Sequence, residues 1–279
     1  MNEILLCTDL DRTLIPNGSQ PESAIARSLF SRFVQRDDVK LVYVTGRHKE
    51  LVEEAISTYD LPLPDYVVAD VGANIYRVDQ SGWHQMKNWC AHISVAWQGQ
   101  SHKELYQKLK SIPQLKLQEA EKQRRHKLSF YVSLETELTN LMSQINALLT
   151  QANIQVNIIW SIDEAENIGL LDILPASANK LMAISFLMKQ QDFMLRNTIF
   201  AGDSGNDMDV LVSEIPSVLV ANAHDEIKKM LETVSEEKLY TAQGGYLGMN
   251  GNYSAGILEG VAHYLPEVDL WLRKQSAIL

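Results

Sequence analysis

Short apolar runs that end on a carboxylate or a Thr-Gly pair, each followed by a stretch with helical spacing, leave this chain few folds to choose from. Ile4, Leu5, Leu6 and Cys7 run towards Asp9, and Leu41 to Val44 run into Thr45 and Gly46. Runs without alternation read as strands buried on both faces of a parallel sheet. Between them Ile25, Leu29, Phe30 and Phe33 recur at helical spacing over Glu22 to Val34, after the turn signal Pro16, Asn17, Gly18. The result is a βαβ unit. A second amphipathic helix, Leu51 to Tyr59, stops before Pro62 and Pro64, and Tyr66 to Ala69 gives a third strand before Gly72. The alternation lapses near residue 80 and resumes at Lys180. It continues with a helix to Lys189, the strand Thr198 to Ala201, a helix from Asp207, the strand Ser217 to Val220, and helices around Ala223 to Leu231 and Ala255 to Tyr264.

The intervening stretch has another texture. Trp83, Trp89 and Trp97 punctuate polar sequence, a helical pattern covers Glu104 to Lys110, and a strand-like run covers Lys127 to Leu134. A long helix, Glu137 to Leu149, leads to the strand-like runs Ile154 to Trp160 and Gly169 to Leu174. The order predicts an α/β protein with a Rossmann-like, doubly wound parallel-sheet core and an inserted α+β cap domain. The expected limits are 1–81 for the first part of the core, 82–174 for the cap and 175–279 for the second part. After Leu265, the residues Leu270, Trp271 and Leu272 among charges suggest a short packed helix or a weak association surface.

Composition removes several function classes. With 25 Lys+Arg against 35 Asp+Glu the formal charge is -10, which repels a phosphate backbone, so no nucleic-acid partner is expected. Two cysteines, Cys7 and Cys90, make no disulfide framework and no metal-ligand pattern. The histidines outside position 48 show no metal spacing. Met1 to Leu10 carries Glu3 and Asp9 and lacks a basic leader, and no apolar run approaches the ~20 residues of a membrane span. The expectation is a cytoplasmic protein with no membrane partner, a monomer or small homo-oligomer.

In an open parallel sheet, ligands gather at the carboxyl ends of the strands. Asp9 and Asp11 follow the first strand there, Thr45 follows the second, Asp203 and Asp207 follow Thr198 to Ala201, and Lys180 opens the preceding helix. Four clustered carboxylates raise one another's pKa unless a cation is present, and hard oxygen donors point to Mg²⁺. Lys180 and Thr45 supply the positive charge and hydrogen-bond donor that a phosphoryl group needs. The spacing Asp9-x-Asp11 lets one carboxylate attack phosphorus while the other reaches the leaving oxygen, with an aspartyl-phosphate between the two half-reactions.

Four blocks in this order, Asp9-Leu10-Asp11-Arg12-Thr13-Leu14, Val44-Thr45-Gly46-Arg47, Asn179-Lys180 and Gly202-Asp203-Ser204-Gly205-Asn206-Asp207, resemble the Mg²⁺-dependent phosphatases of the haloacid dehalogenase superfamily. The resemblance implies Asp9 as nucleophile and Asp11 as general acid/base. It also implies Thr45, Gly46 and Lys180 around the phosphate, and Asp9, Asp11, Asp203 and Asp207 around the metal, Asp11 through its backbone carbonyl. Finer echoes are similar to sucrose-6-phosphate phosphatases and related sugar phosphatases: Asp70-Val71-Gly72-Ala73-Asn74-Ile75-Tyr76, His126 to Tyr131, Asp172-Ile173-Leu174-Pro175 and Ser254 to Glu259. Leu181 and Ala178 depart from that pattern.

Burying a sugar requires polar side chains that restore its hydrogen bonds. Arg47, Lys127, Ser129, Ser177, Asn179 and Asn206 are the candidates for substrate contact. The expected substrate is a small-molecule sugar phosphate, sucrose 6-phosphate or a related disaccharide phosphate. Alternatives are a mannosyl or amino-sugar phosphate, a sugar phosphomutase, and a non-catalytic partner module of a sugar-phosphate synthase.

Overall fold

The computed structural model describes residues 3–163 and 166–278. The outer limits expected at residues 1 and 279, and the first two residues of the segment read for a leader, lie outside them. The strands are β1 (Ile4–Thr8), β2 (Val39–Val44), β3 (Tyr66–Ala69), β4 (Asn74–Asp79), β5 (Gly82–Gln85), β6 (Lys116–Leu117), β7 (Leu128–Val132), β8 (Val156–Asp163), β9 (Ile168–Pro175), β10 (Thr198–Gly202), β11 (Ser217–Leu219) and β12 (Leu239–Thr241). The helices are α1 (Ala26–Val34), α2 (Lys49–Tyr59), α3 (Lys87–Ser94), α4 (His102–Leu109), α5 (Leu138–Gln151), α6 (Lys180–Gln190), α7 (Met208–Leu211), α8 (Asp225–Leu231), α9 (Ser254–Tyr264) and α10 (Pro266–Ser276).

The chain divides into two compact units, one of residues 1–85 with 180–279 and one of residues 86–179. These limits lie four and five residues beyond those expected from the change in sequence pattern. Gly82–Gln85 pairs with β4 and so stays with the first sheet, and β9 runs to Pro175 before the chain reaches Lys180.

Among the described residues the first unit holds an eight-stranded sheet in the order β12-β11-β10-β1-β2-β3-β4-β5. From β12 to β3 every pairing is parallel, and β4 and β5 add an antiparallel edge. Every residue of β1, β3 and β10 is buried, as strands covered on both faces require. The helix expected from Glu22 begins at Ala26, because Ala24 and Ile25 form a turn, and it buries Ala26, Leu29, Phe30 and Phe33. After β1 the chain steps to β2 and β3 on one side, and its later part fills the other side with β10, β11 and β12. The sheet therefore reverses direction between β1 and β10, where ligands bind in such sheets.

The C-terminal segment is the packed helix α10, with Val268 and Leu272 buried and Trp271 against Phe33, ring centroids 6.2 Å apart. Trp83 belongs to this unit and meets Tyr76 edge-on.

The second unit holds a four-stranded antiparallel sheet in the order β6-β7-β9-β8. Leu141, Ile145 and Leu149, one turn apart along α5, pack with Leu128, Phe130, Val132, Leu171 and Ile173. Trp89 and Trp97 are fully buried in the interior of this unit. No helix among the described residues is long and apolar enough to cross a membrane.

Candidate active site

Asp9 continues the β1 ladder by one rung, its N–H donating to Ala201 O at 2.9 Å, and its carboxylate therefore stands at the reversal between β1 and β10. The loop that follows is wound tightly: Leu10 O accepts from the N–H groups of Thr13, Leu14 and Ile15. Arg12 lies in the left-handed region at φ 59°. It is fixed by Asn17, whose Oδ1 accepts the Arg12 N–H at 2.8 Å, and by Asn222 Nδ2, which donates to Arg12 O at 2.6 Å.

Across the reversal, β10 ends at Gly202. A side chain there would put Cβ 2.7 Å from the Asp207 carboxyl carbon, so glycine is what lets Asp207 fold back under the loop. Asp207 Oδ2 accepts the N–H groups of Asp203 and Ser204, both at 3.1 Å, which closes the turn and aims Oδ1 at Lys180. Lys180 Nζ lies 2.6 Å from Asp207 Oδ1, 3.1 Å from Asp9 Oδ1 and 3.0 Å from Asn206 Oδ1. Asp203 is held by Thr13 Oγ1 at 3.1 Å and by Arg12 Nε at 3.3 Å.

Charge is unbalanced here. Burial disfavours the Lys180 ammonium, yet Asp207 and Asp9 overcome this and raise its pKa, so it stays protonated. Burial drives Asp9 well above the carboxylate range. Lys180 opposes the shift, and Asp207, Asp203 and Asp11 add to it. Asp203 is pushed up to about 6, first by burial and then by Asp207, against the pull of Thr13 and Arg12. One oxygen from each of Asp9, Asp203 and Asp207 lies within 4.8 Å of the others, all three residues are buried, and the donors are oxygens only. That set fits a small hard divalent cation, which would relieve the repulsion the carboxylates exert on one another.

Asp11 stands apart from the three. Arg47 grips it in a two-pronged pair, Nη2 to Oδ1 at 2.7 Å and Nε to Oδ2 at 2.8 Å, and Asn17 Nδ2 adds 2.7 Å to Oδ1. Burial raises the Asp11 pKa, but the Arg47 and Asn17 hydrogen bonds win and hold it below its usual value. Thr45 is buried after β2, its N–H donating to Val68 O and its Oγ1 accepting the Arg47 N–H at 3.1 Å, with Gly46 between them.

The remaining candidates lie in the second unit. Ser129 and Asp172 are cross-strand partners on the face of β7 and β9 opposite Phe130 and Leu171. The Ser129 hydroxyl donates to Asp172 Oδ1 at 2.6 Å, and Lys127 Nζ lies 3.1 Å from Asp172 Oδ2. Ser129 is thus a buried residue with a partner of its own. Ser177 and Asn179 are half-buried on the segment leading to α6. Residue-by-residue reading missed Asn17, Asn222 and the Asp203-holding role of Arg12. Only the turn signal at Asn17 was visible locally, since Asn222 reaches Arg12 across 210 positions.

The family model described as sucrose-6F-phosphate phosphohydrolase matches residues 2–265. A chain from Nitrosococcus oceani described only as a HAD-like hydrolase is 49% identical, covering 99% of this chain and 76% of that one. Sucrose-phosphatase 2 of Nicotiana tabacum is 28% identical over 80% of this chain, which spans about half, 51%, of the tobacco protein. The solved sucrose-phosphatase from Synechocystis, in complex with sucrose and phosphate, aligns with a TM-score of 0.74 at 25% identity, covering 95% of this chain and 98% of that one. The chain belongs to the sucrose-6F-phosphate phosphohydrolase family, and with it to the haloacid dehalogenase-like phosphoric monoester hydrolases.

Proposed function

We propose that this protein is a Mg²⁺-dependent hydrolase of sucrose 6-phosphate or a related disaccharide phosphate, with Asp9 as nucleophile and Asp11 as proton carrier. The observation that carries the reading is Lys180 bound to both Asp9 and Asp207, beside Asp203, at the reversal of a parallel sheet in a chain of this family. Asp9, Asp203 and Asp207, with the Asp11 carbonyl, would hold Mg²⁺. When bound, the ion supplies positive charge to the phosphoryl oxygens.

In the first half-reaction an Asp9 oxygen bonds to phosphorus, the bond from phosphorus to the sugar oxygen breaks, and that oxygen takes a proton from Asp11. In the second, Asp11 takes a proton from water as the water oxygen attacks the same phosphorus, and inorganic phosphate leaves Asp9 ionised again. Lys180 favours the charged form of Asp9 against its burial, a bound cation would add to that, and Thr45 with the backbone at Gly46 orients the phosphoryl oxygens. Both Asp11 oxygens accept from Arg47, which suits the ionised carboxylate of the second half-reaction. The protonated form needs one of these two bonds to open. We assign sugar recognition to Arg47, Asn206, Lys127, Ser129, Ser177 and Asn179, with Ser129 acting through Asp172.

Phosphate release from sucrose 6-phosphate, glucose 6-phosphate, mannose 6-phosphate and an amino-sugar phosphate, each with and without Mg²⁺, tests the reading. A strong preference for sucrose 6-phosphate that needs Mg²⁺ supports it. Preference for another member keeps the chemistry and replaces the substrate, and no release from any member refutes the activity.

A further inference from the structure

Three consecutive residues after β3 adopt left-handed backbone: Asp70 at φ 52°, Val71 at φ 55° and Gly72 at φ 100°. Glycine does so freely, but a β-branched valine at φ 55°, ψ 31° is strained, and such strain persists only where the surroundings over-determine it. The surroundings here are the phosphate loop. The Asp70 N–H donates to Arg47 O at 3.0 Å and the Val71 N–H to Thr45 O at 3.1 Å. Val71 Cγ2 lies over Gly46, 3.9 Å from where a Cβ would stand. The turn thus grips Thr45 and Arg47 by their carbonyls and covers the glycine between them.

The turn is anchored from behind. Asp70 is buried, and its Oδ2 accepts Asn74 Nδ2 at 2.9 Å. Asn74 Oδ1 in turn accepts Gln85 Nε2 at 2.7 Å, which ties the turn to the antiparallel β4–β5 edge. On the other side Arg47 carries the constraint to Asp11 through its two-pronged pair. A continuous set of hydrogen bonds therefore runs from Gln85 through Asn74, Asp70 and Arg47 to Asp11. Thr45 is attached by Val71 and by its own bond to the Arg47 N–H.

Resting on the phosphatase reading above, we infer that Asp70 and Val71 are positioning residues, whose strained turn sets the phosphate-binding Thr45 and the Arg47 that orients Asp11. Neither touches the reacting atoms. Their effect is to fix two loop carbonyls, and displacements on the order of 1 Å at a reacting centre cost up to about a hundred-fold in rate.

Val71→Gly accepts the left-handed backbone without strain but widens the freedom of the turn, which loosens its hold on Thr45 and Arg47, whereas Val71→Asn tolerates that backbone and keeps a side chain to restrict it. Inorganic phosphate binding by calorimetry, kcat on the preferred ester and Tm are measured for both variants and for the parent. Val71→Gly is expected to lose about ten-fold or more in phosphate affinity and in kcat with Tm within about 2 °C of the parent, and Val71→Asn to keep both within about three-fold. Phosphate affinity and kcat within two-fold of the parent for Val71→Gly would overturn the inference, as would Val71→Asn being equally impaired, which would make packing on Gly46 the cause. Should Val71→Gly not fold, Gln85→Ala decides, because Gln85 is exposed and its loss frees only the anchor. A fall of about three-fold in kcat is expected, and no change overturns the inference. A parent that hydrolyses no ester refutes the activity, whereas the phosphate-affinity series still decides the role of the turn.

Discussion

At the scale of single residues, the site is a problem of charge. Three buried carboxylates face one buried ammonium, and Asp203 shows the consequence most directly, its carboxyl pushed up to about 6 by burial and by Asp207. A raised carboxyl pKa means that the folded chain without metal favours the proton, so the stability contributed by this group is present at low pH and lost as pH rises through about 6. A divalent cation must displace that proton. Mg²⁺ affinity is therefore expected to be highest above pH 7 and to fall about ten-fold for each pH unit below 6 through Asp203 alone, with Asp9 adding to the slope. Calorimetric titration of the protein with Mg²⁺ at pH 7.5 and pH 5 checks this, and an affinity independent of pH would contradict it. Asp9 itself admits a sharper test. Asp9→Asn keeps the shape and most hydrogen bonds but removes the nucleophilic charge, so turnover should fall by about 10³-fold or more, with inorganic phosphate still bound. Residual turnover near the parent level would take the nucleophile role away from Asp9.

At the scale of elements, what the sequence revealed depended on whether a signal was local. β1, β2, β3 and β10 were legible because strands buried on both faces are written as continuous apolar runs, and the site carboxylates were legible because they stand at the ends of those runs. The β4–β5 edge, the two-residue β6 and β12 were not read, since short strands gain their identity from the partner they pair with. The same holds inside the site. Arg47 was visible beside Thr45, but its grip on Asp11 and its tie to Asp70 depend on the fold bringing separate loops together. Helix α9 was read as a helix, but its central place was not legible, because burial on every side, from Ser254 to Ala262, leaves no exposed polar face to mark its orientation. Gly260 is what permits this: a Cβ there would collide with the Val218 side chain on β11. Gly260→Ala is expected to destabilise the fold by about 1–3 kcal/mol through overpacking, despite the gain in helix propensity, lowering Tm by several degrees. Gly205→Ala is the control, since a Cβ at Gly205 meets nothing within 4 Å and should leave Tm nearly unchanged.

At the scale of the whole molecule, the chain is two cores with unequal duties. The first unit is discontinuous in sequence, closed only when its second segment adds β10, β11 and β12 to the strands of residues 3–85, and Asp9, Asp203 and Asp207, the carboxylates that could hold a metal, belong to it. The second unit has its own interior around Trp97, Phe130, Ile145 and Leu171. A metal ion held by Asp9, Asp203 and Asp207, as proposed, would stabilise only states in which the three are assembled, by RT ln(1 + [L]/Kd), about 2.7 kcal/mol at a free concentration of 100 Kd. Amide hydrogen exchange should report this as unequal protection. With saturating Mg²⁺, the slowest amides of β1 and β10 are expected to exchange about a hundred-fold more slowly, and those of β7 and β9 to keep their rates. Ile145→Ala provides the converse, removing a fully buried side chain from the second interior at a cost of about 2–5 kcal/mol, and should speed exchange in β7 and β9 while leaving β1 and β10 as they were. Equal slowing of both sheets by Mg²⁺, or equal acceleration of both by Ile145→Ala, would mean that the two interiors open as one cooperative unit.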